Sequence, residues 1–231
     1  MEQGDQQIVL KGELRNGKEN QIWIEEMAAR EFIPIDTVIC DSAGHFELTF
    51  PAENTAFYVL HYGDNQRATL LMEPGEKATF TEAGTEAGTY RIQGSPGSIL
   101  LQQLAEEHLK TLHSLGDVAR SSMALSSEPN YSSLKPELDR KFDSITSSFR
   151  EYSLQFIKNN HGSLAILIAL YNLYGQGLPV FHPREDMDVY RYVDSVLYER
   201  FPGIEAVELL HAQMAEAELT MERDDHLSIL E

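Results

Sequence analysis

At Gly94-Ser95-Pro96-Gly97-Ser98 the chain changes its hydrophobic period, and no other feature restricts the fold as much. Before this stretch, apolar residues recur at every second position, the repeat of a strand buried on one face. After it they recur at three and four, the repeat of a helix. Ser95 can cap a helix whose first residue is Pro96, where the missing N–H costs nothing. The expected fold class is therefore α+β. An antiparallel β-sandwich is expected over residues 6–94, followed by an α-helical bundle over residues 95–222.

The strand half reads as about eight short strands with turn signals between them. Ile8, Leu10, Gly12 and Leu14 share one side of the first, and Asn16-Gly17 predicts a hairpin that returns through Gln21 to Met27. Ile33 to Cys40 is β-branched and broken by Pro34, which predicts either a strand that starts after that proline or an edge position. Asp41-Ser42-Ala43-Gly44 is a turn, and Phe46, Leu48 and Phe50 then alternate with polar residues. Phe57 to Tyr62, Ala68 to Met72, Lys77 to Thr81 and Thr89 to Gln93 complete the set, with a type II turn at Pro74-Gly75. No β-α-β crossover is readable, so a parallel sheet is not expected.

In the second half, Leu101, Leu104, Leu109 and Leu112 lie at helical spacing, and that helix is expected to fade near Gly116 into a mobile loop over Ser121 to Ser133. Leu134, Leu138, Phe142, Ile145, Phe149, Tyr152 and Phe156 form the cleanest stripe in the chain and are read as core. Asn159 to Gly162 closes that helix. Leu164 to Tyr171 is apolar all round and so central, but too short to span a bilayer. Gly175, Gly177, Pro179 and Pro183 mark an irregular loop. Helices follow over Asp186 to Arg200 and from Ile204 to about Met221. The short linker at Gly94 to Ser98 leads us to expect the helices to pack on the sandwich through an apolar interface.

Charge narrows the partners. The net charge is -19, with 7 basic and 16 acidic residues in the first 95 positions and 11 and 21 in the rest. An evenly acidic surface repels phosphate backbones and anionic lipid, so neither nucleic acid nor a membrane surface is expected as partner. No apolar run reaches a membrane span, and Met1 to Asp5 does not read as a signal peptide. Met1 and Leu230-Glu231 read as boundaries of expression rather than of the native chain.

No residue is assigned to catalysis, to a cofactor or to a metal. Cys40 stands alone in an apolar stretch, which excludes a C-x-x-C pair and predicts a buried, inert thiol. The chain has no H-E-x-x-H, G-x-S-x-G, Walker or dinucleotide-binding pattern. His108 and His113, five apart, fall off a common helix face. The groups His182, Glu185, Asp186, Asp188 and Glu222, Asp224, Asp225, His226 match no calcium loop, and the first reads as helix N-terminal charge. Carboxylate pairs for glycoside hydrolysis are set by fold rather than spacing, so none stands out among 37 acids. Trp23, Tyr58, Tyr62, Tyr171, Tyr174 and Phe181 include candidates for a sugar platform, but most lie at core positions.

One resemblance supplies direction. It is carried by Ile35-Asp36-Thr37-Val38, Asp41 with Gly44-His45-Phe46, Met72-Glu73-Pro74-Gly75-Glu76 and Ile92-Gln93-Gly94-Ser95. In their order and spacing the chain resembles the N-terminal domain of unknown function that precedes thioredoxin-like (AhpC/TSA, TlpA/ResA type) domains in envelope proteins of Bacteroides-type bacteria. Ser163-Leu164-Ala165 and Phe201-Pro202-Gly203 look, more loosely, like that family's helical spacer. The resemblance implies a periplasmic or outer-membrane-anchored lipoprotein after signal removal, whose redox chemistry belongs to a C-terminal thioredoxin-like domain or an envelope partner. This sequence holds no such domain, so no catalytic residue carries over. The expected role is a non-catalytic accessory or binding region of a thiol–disulfide oxidoreductase-like protein, not an enzyme. The competing expectation is a glycan- or peptide-binding β-sandwich module independent of redox chemistry.

Overall fold

The computed structural model describes residues 6–15, 17–63, 66–83, 89–175 and 177–228, with side chains to residue 220. The readings at Met1 to Asp5, at Asn16, at Leu230-Glu231 and on the side chains of the 222–226 acidic group lie outside the described residues. The fold is α+β, with two four-stranded sheets and five helices among those residues. The strands are β1 (Gln7–Glu13), β2 (Gln21–Met27), β3 (Phe32–Ile39), β4 (His45–Pro51), β5 (Ala56–Tyr62), β6 (Arg67–Met72), β7 (Lys77–Glu82) and β8 (Tyr90–Gln93). The helices are α1 (Pro96–Leu125), α2 (Tyr131–Asn159), α3 (Ala165–Leu170), α4 (Met187–Arg200) and α5 (Glu205–Ser228).

One sheet has the order β4-β1-β7-β8 and the other β3-β2-β5-β6. Two expectations are corrected here. The Asn16-Gly17 hairpin does not form, because β1 pairs with β4 and β7 while β2 pairs with β3 and β5. Both edges of β1 are occupied, so the chain crosses to the other sheet, turning at Leu14, whose carbonyl accepts the Gly17 N–H at 3.3 Å. A turn signal reports a local reversal; it does not say which sheet receives the next strand. Second, the strand pairing is not purely antiparallel: the sheets are not parallel sheets, but they hold one parallel pair, β1 with β7, Val9 opposite Lys77 through Glu13 opposite Thr81. Their connection runs through β2 to β6 and contains no helix among the described residues, so the helical signature of a parallel pair is missing.

Alternation decides what is buried. Ile8 and Leu10 of β1, Leu48 of β4, Ile22 and Ile24 of β2 and Leu60 of β5 are all fully buried in one apolar cluster. Rings from both sheets meet in it, Phe50 with Tyr58 at 5.2 Å and Tyr62 edge-on to Phe80 at 4.8 Å. Of the two readings of Pro34 the edge position holds, since β3 starts before the proline, at Phe32, and ends its sheet, with Pro34 opposite Glu25 beside a bulge.

By compactness the chain divides into two units. The first holds residues 1–102, 162–165 and 194–231, so α5 and the end of α4 group with the strands; the second holds 103–161 and 166–193. In the first, α1 begins against β6. Ser98 Oγ accepts the Leu71 N–H at 3.1 Å and donates to the Leu71 carbonyl at 3.0 Å, which the Ser95 hydroxyl also reaches at 3.0 Å. Two glycines permit this approach. Gly94 has φ 82 and any Cβ there would meet the Lys77 carbonyl at 2.2 Å; one on Gly97 would lie 2.8 Å from the Leu71 side chain.

In the second unit α1 and α2 run antiparallel, with the Tyr152 hydroxyl on the Gln103 carbonyl, the His108 ring stacked on Phe149 at 5.1 Å and Ser122 Oγ 2.8 Å from the Tyr131 hydroxyl. The loop expected over Ser121 to Ser133 is narrowed to 126–130, since α1 continues to Leu125 and α2 starts at Tyr131. Serine is no helix breaker when its hydroxyl bonds back one turn, as Ser114 does to Lys110 at 2.9 Å and Ser121 to Asp117 at 2.8 Å. The α2 stripe is also only partly core. Leu138, Phe149 and Phe156 are buried, but Phe142 is 37% exposed, and the stripe omits the buried Ser153 and Ile157.

Two stability outcomes follow from this packing. Phe149→Ala should cost about 3–5 kcal/mol and Phe142→Ala no more than about half that, read by urea unfolding with helical circular dichroism; equal costs would mean the stripe is covered along its whole length. Ser98→Ala leaves the Leu71 N–H without its hydroxyl acceptor and should cost about 1–3 kcal/mol, visible as a lowered Tm; an unchanged Tm would show water replacing it.

Candidate functional site

The singled-out residues do not converge. Cys40 follows β3, 3% exposed, its N–H bonded to the Asn20 carbonyl at 2.9 Å. Burial, with the Asp41 charge as a smaller cause, pushes its thiol up from the ordinary range. Asp186 of the His182 group is committed to structure. It takes a bidentate pair from Arg150, whose Nη1 lies 3.1 Å from Oδ2, and accepts the His182 N–H at 2.7 Å. Arg150 also lies over the Phe181 ring at 4.9 Å and bonds the Val180 carbonyl at 3.1 Å. His108 bonds the Leu173 carbonyl at 2.8 Å, and the Tyr174 hydroxyl donates to the Thr146 carbonyl at 2.6 Å. These contacts fasten the irregular 171–186 segment to α1 and α2 within the second unit. Among the described residues no group of three or more His, Cys, Asp or Glu has the geometry to hold a metal ion.

The singled-out aromatics are divided between core and surface, with Tyr171 47% exposed. Tyr58, Tyr62 and Phe181 are buried, and burial pushes the Tyr58 and Tyr62 hydroxyls up to about 12. Trp23 stacks on His61 at 4.5 Å, and His61 Nε2 lies 2.8 Å from Glu25 Oε2. A second pair, His211 Nδ1 on Asp194 at 3.0 Å, stacks on Tyr198 at 3.8 Å. Both were missed by sequence reasoning, because the partners are 36 and 17 residues apart. Strand register offers the only signal for the first: Trp23 stands directly opposite His61.

Two hollows lie within the first unit. One, about 520 Å³, is on the solvent face of the β4-β1-β7-β8 sheet, over Lys11, Glu13, His45, Glu47, Thr79 and Thr81. Within it Lys11 pairs with Glu47 at 3.1 Å and His45 Nδ1 lies 3.4 Å from Asp41. Asp41 also accepts the N–H groups of Ala43 and His45, and these bonds, with His45 the larger, hold its carboxyl below the ordinary range.

The other hollow, about 450 Å³, is the better candidate. Its walls are the turn after β2, the turn between β4 and β5, and the start of α5. Ala52, Phe57, Tyr58 and Leu164 give it a buried apolar floor, and Glu26, Glu53 and Glu205 are carboxylates on its lining. Glu205 and Glu208 occupy the first turn of α5, where the helix dipole favours negative charge; Glu208 also accepts the Gly203 N–H at 3.0 Å. Arg30 approaches Glu205 at 3.8 Å, an exposed pair that contributes little. The lining combines apolar side chains with three carboxylates, a surface complementary to an apolar group bearing positive charge.

Comparison with family models, with curated proteins and with solved structures gives no match.

The Cys40 environment sets a pH dependence. The folded thiol is raised, so it resists ionisation that the unfolded chain undergoes above pH ~8.5. Stability should therefore be unaffected by this group below that pH. Above it, the loss should reach at most about 1.4 kcal/mol per pH unit until the folded thiol titrates. Cys40→Ser should remove that component, compared by urea unfolding at pH 7 and in the alkaline range; identical slopes would refute the assignment. Thiol reagent should react slowly with the native chain and rapidly once it is unfolded.

Proposed function

We propose that the chain is a non-catalytic accessory or binding region of a cell-envelope thiol–disulfide oxidoreductase-like protein, its two sheets forming a sandwich and its helices a bundle. The observation that carries this reading is the state of Cys40. Exchange requires an accessible thiolate, and a catalytic cycle requires a second thiol. Cys40 is buried, its thiol is raised, and it is the only cysteine. The redox step accordingly belongs to a thioredoxin-like partner domain, and this chain serves as scaffold. The periplasm or the outer membrane, with a lipid anchor, is the compartment that goes with this role.

Residues of the resemblance stand at joints of the fold, which supports treating them as a scaffold pattern. Asp41 and Gly44 make the turn before β4, Gly75 has φ 84 in the turn before β7, and Gly94 and Ser95 start α1. A second reading, a peptide-binding module independent of redox chemistry, is favoured by the 450 Å³ cleft with its apolar floor and three carboxylates.

Two measurements separate the readings. With insulin and dithiothreitol the chain should not exceed the uncatalysed rate of reduction; turnover would sink the scaffold reading. In a nuclear magnetic resonance titration, an apolar peptide carrying lysines should leave the amides of Met27, Ala52 and Ile204 unmoved if scaffolding is the whole role. Saturable shifts there, lost in Glu26→Gln with Glu205→Gln, would favour the second reading.

A further inference from the structure

The two sheets end at β4, β8, β3 and β6, and among the described residues β3 is the end strand with large exposed apolar side chains: Phe32 is 53% exposed, Ile33 41% and Ile39 66%. A long apolar edge of this kind is a template on which another strand can pair. Its backbone, however, offers few donors. Cys40 N–H bonds inward to Asn20, and Val38 and Asp36 continue that alternation opposite Ile22 and Ile24. The backbone groups of Thr37 and Ile39 therefore face away from β2, toward the open edge. Thr37 N–H is already taken, bonded at 2.7 Å to Asp36 Oδ1. Pro34 has no N–H to offer. The register also shifts between Ile24 and Glu25, which bends the strand at this point. Asp36 lies opposite Ile24, whose side chain is in the core, so an added strand would confine a carboxylate on the core side of the sheet.

We infer that β3 is a guarded edge: Pro34, the bulge and the Asp36 carboxylate on Thr37 together block antiparallel pairing of β3 with β3 of a second copy of this chain. The second copy is the relevant occupant because the same apolar strand, read antiparallel about its own middle, meets itself; the guard sits at that middle. Removing the guard leaves the outward backbone groups of Thr37 and Ile39 free to pair.

The test uses the full chain and follows molecular mass by light scattering and sedimentation over a wide concentration range. Pro34→Val with Asp36→Thr should associate at least about tenfold more tightly than the wild type, with added β signal in the infrared. Asp36→Ala alone, at an exposed site that leaves the core intact, should move in the same direction and serves if the double variant fails to fold. Association gained by neither variant, with both folded by circular dichroism, would overturn the inference. So would a wild-type chain already paired through β3, shown by a Thr37→Cys crosslink in a Cys40→Ser background.

Discussion

The peptide group of Leu71 is held by two buried hydroxyls, and the start of the helical half depends on that grip. β6 ends its sheet, so its outward N–H and C=O would otherwise be buried without partners. Ser98 satisfies both groups of Leu71 and Ser95 reaches the same carbonyl, which lets a helix begin against the edge. The serines are themselves fully buried and 2.9 Å apart. An alanine-lined approach would be equally close yet would leave two backbone groups unpaired, a larger cost than the hydroxyls incur. Glycine at 94 and 97 is the steric half of the same arrangement.

Edges recur as the problem this chain solves by different chemistry. β6 is closed by hydroxyls from α1, while β3 is closed by a proline, a bulge and a carboxylate from its own sequence. The first device buries apolar surface as well, with Leu71 2% exposed; the second leaves Phe32 and Ile39 in water. Polar side chains in the second unit act similarly on an irregular segment, where Arg150, His108 and Tyr174 bond carbonyls that no regular element satisfies. Charged and aromatic residues that resemble site chemistry in one dimension are, in three, mostly fasteners of backbone.

The candidate cleft was hardly legible. Glu26, Glu53 and Glu205 lie far apart in the chain and each sits in an unremarkable turn or helix start; only the return of α5 to the unit of the strands brings them to one hollow. Cys40 was legible, because a lone cysteine in a β-branched run has few fates other than burial. The two histidine–carboxylate pairs were not, since each joins separate elements.

Local period and local stereochemistry were set by the sequence itself: the strands, the long helices, the edge proline at 34, the turns at Gly44 and Gly75 and the change at Gly94 to Ser98. These depend on side-chain alternation, fixed dihedrals and capping, which act within a few residues. Tertiary structure alone decided that β1 and β2 part into different sheets, that β7 returns parallel to β1, and that Phe142 stays partly in water while Phe149 is covered. The alternation that marks a strand's buried face is the same whichever neighbour pairs with its edges, and a helical stripe records a wish for cover without naming what supplies it. Pairing and cover are settled by competition among distant segments for the same edges and the same apolar surface, and that competition leaves no local trace.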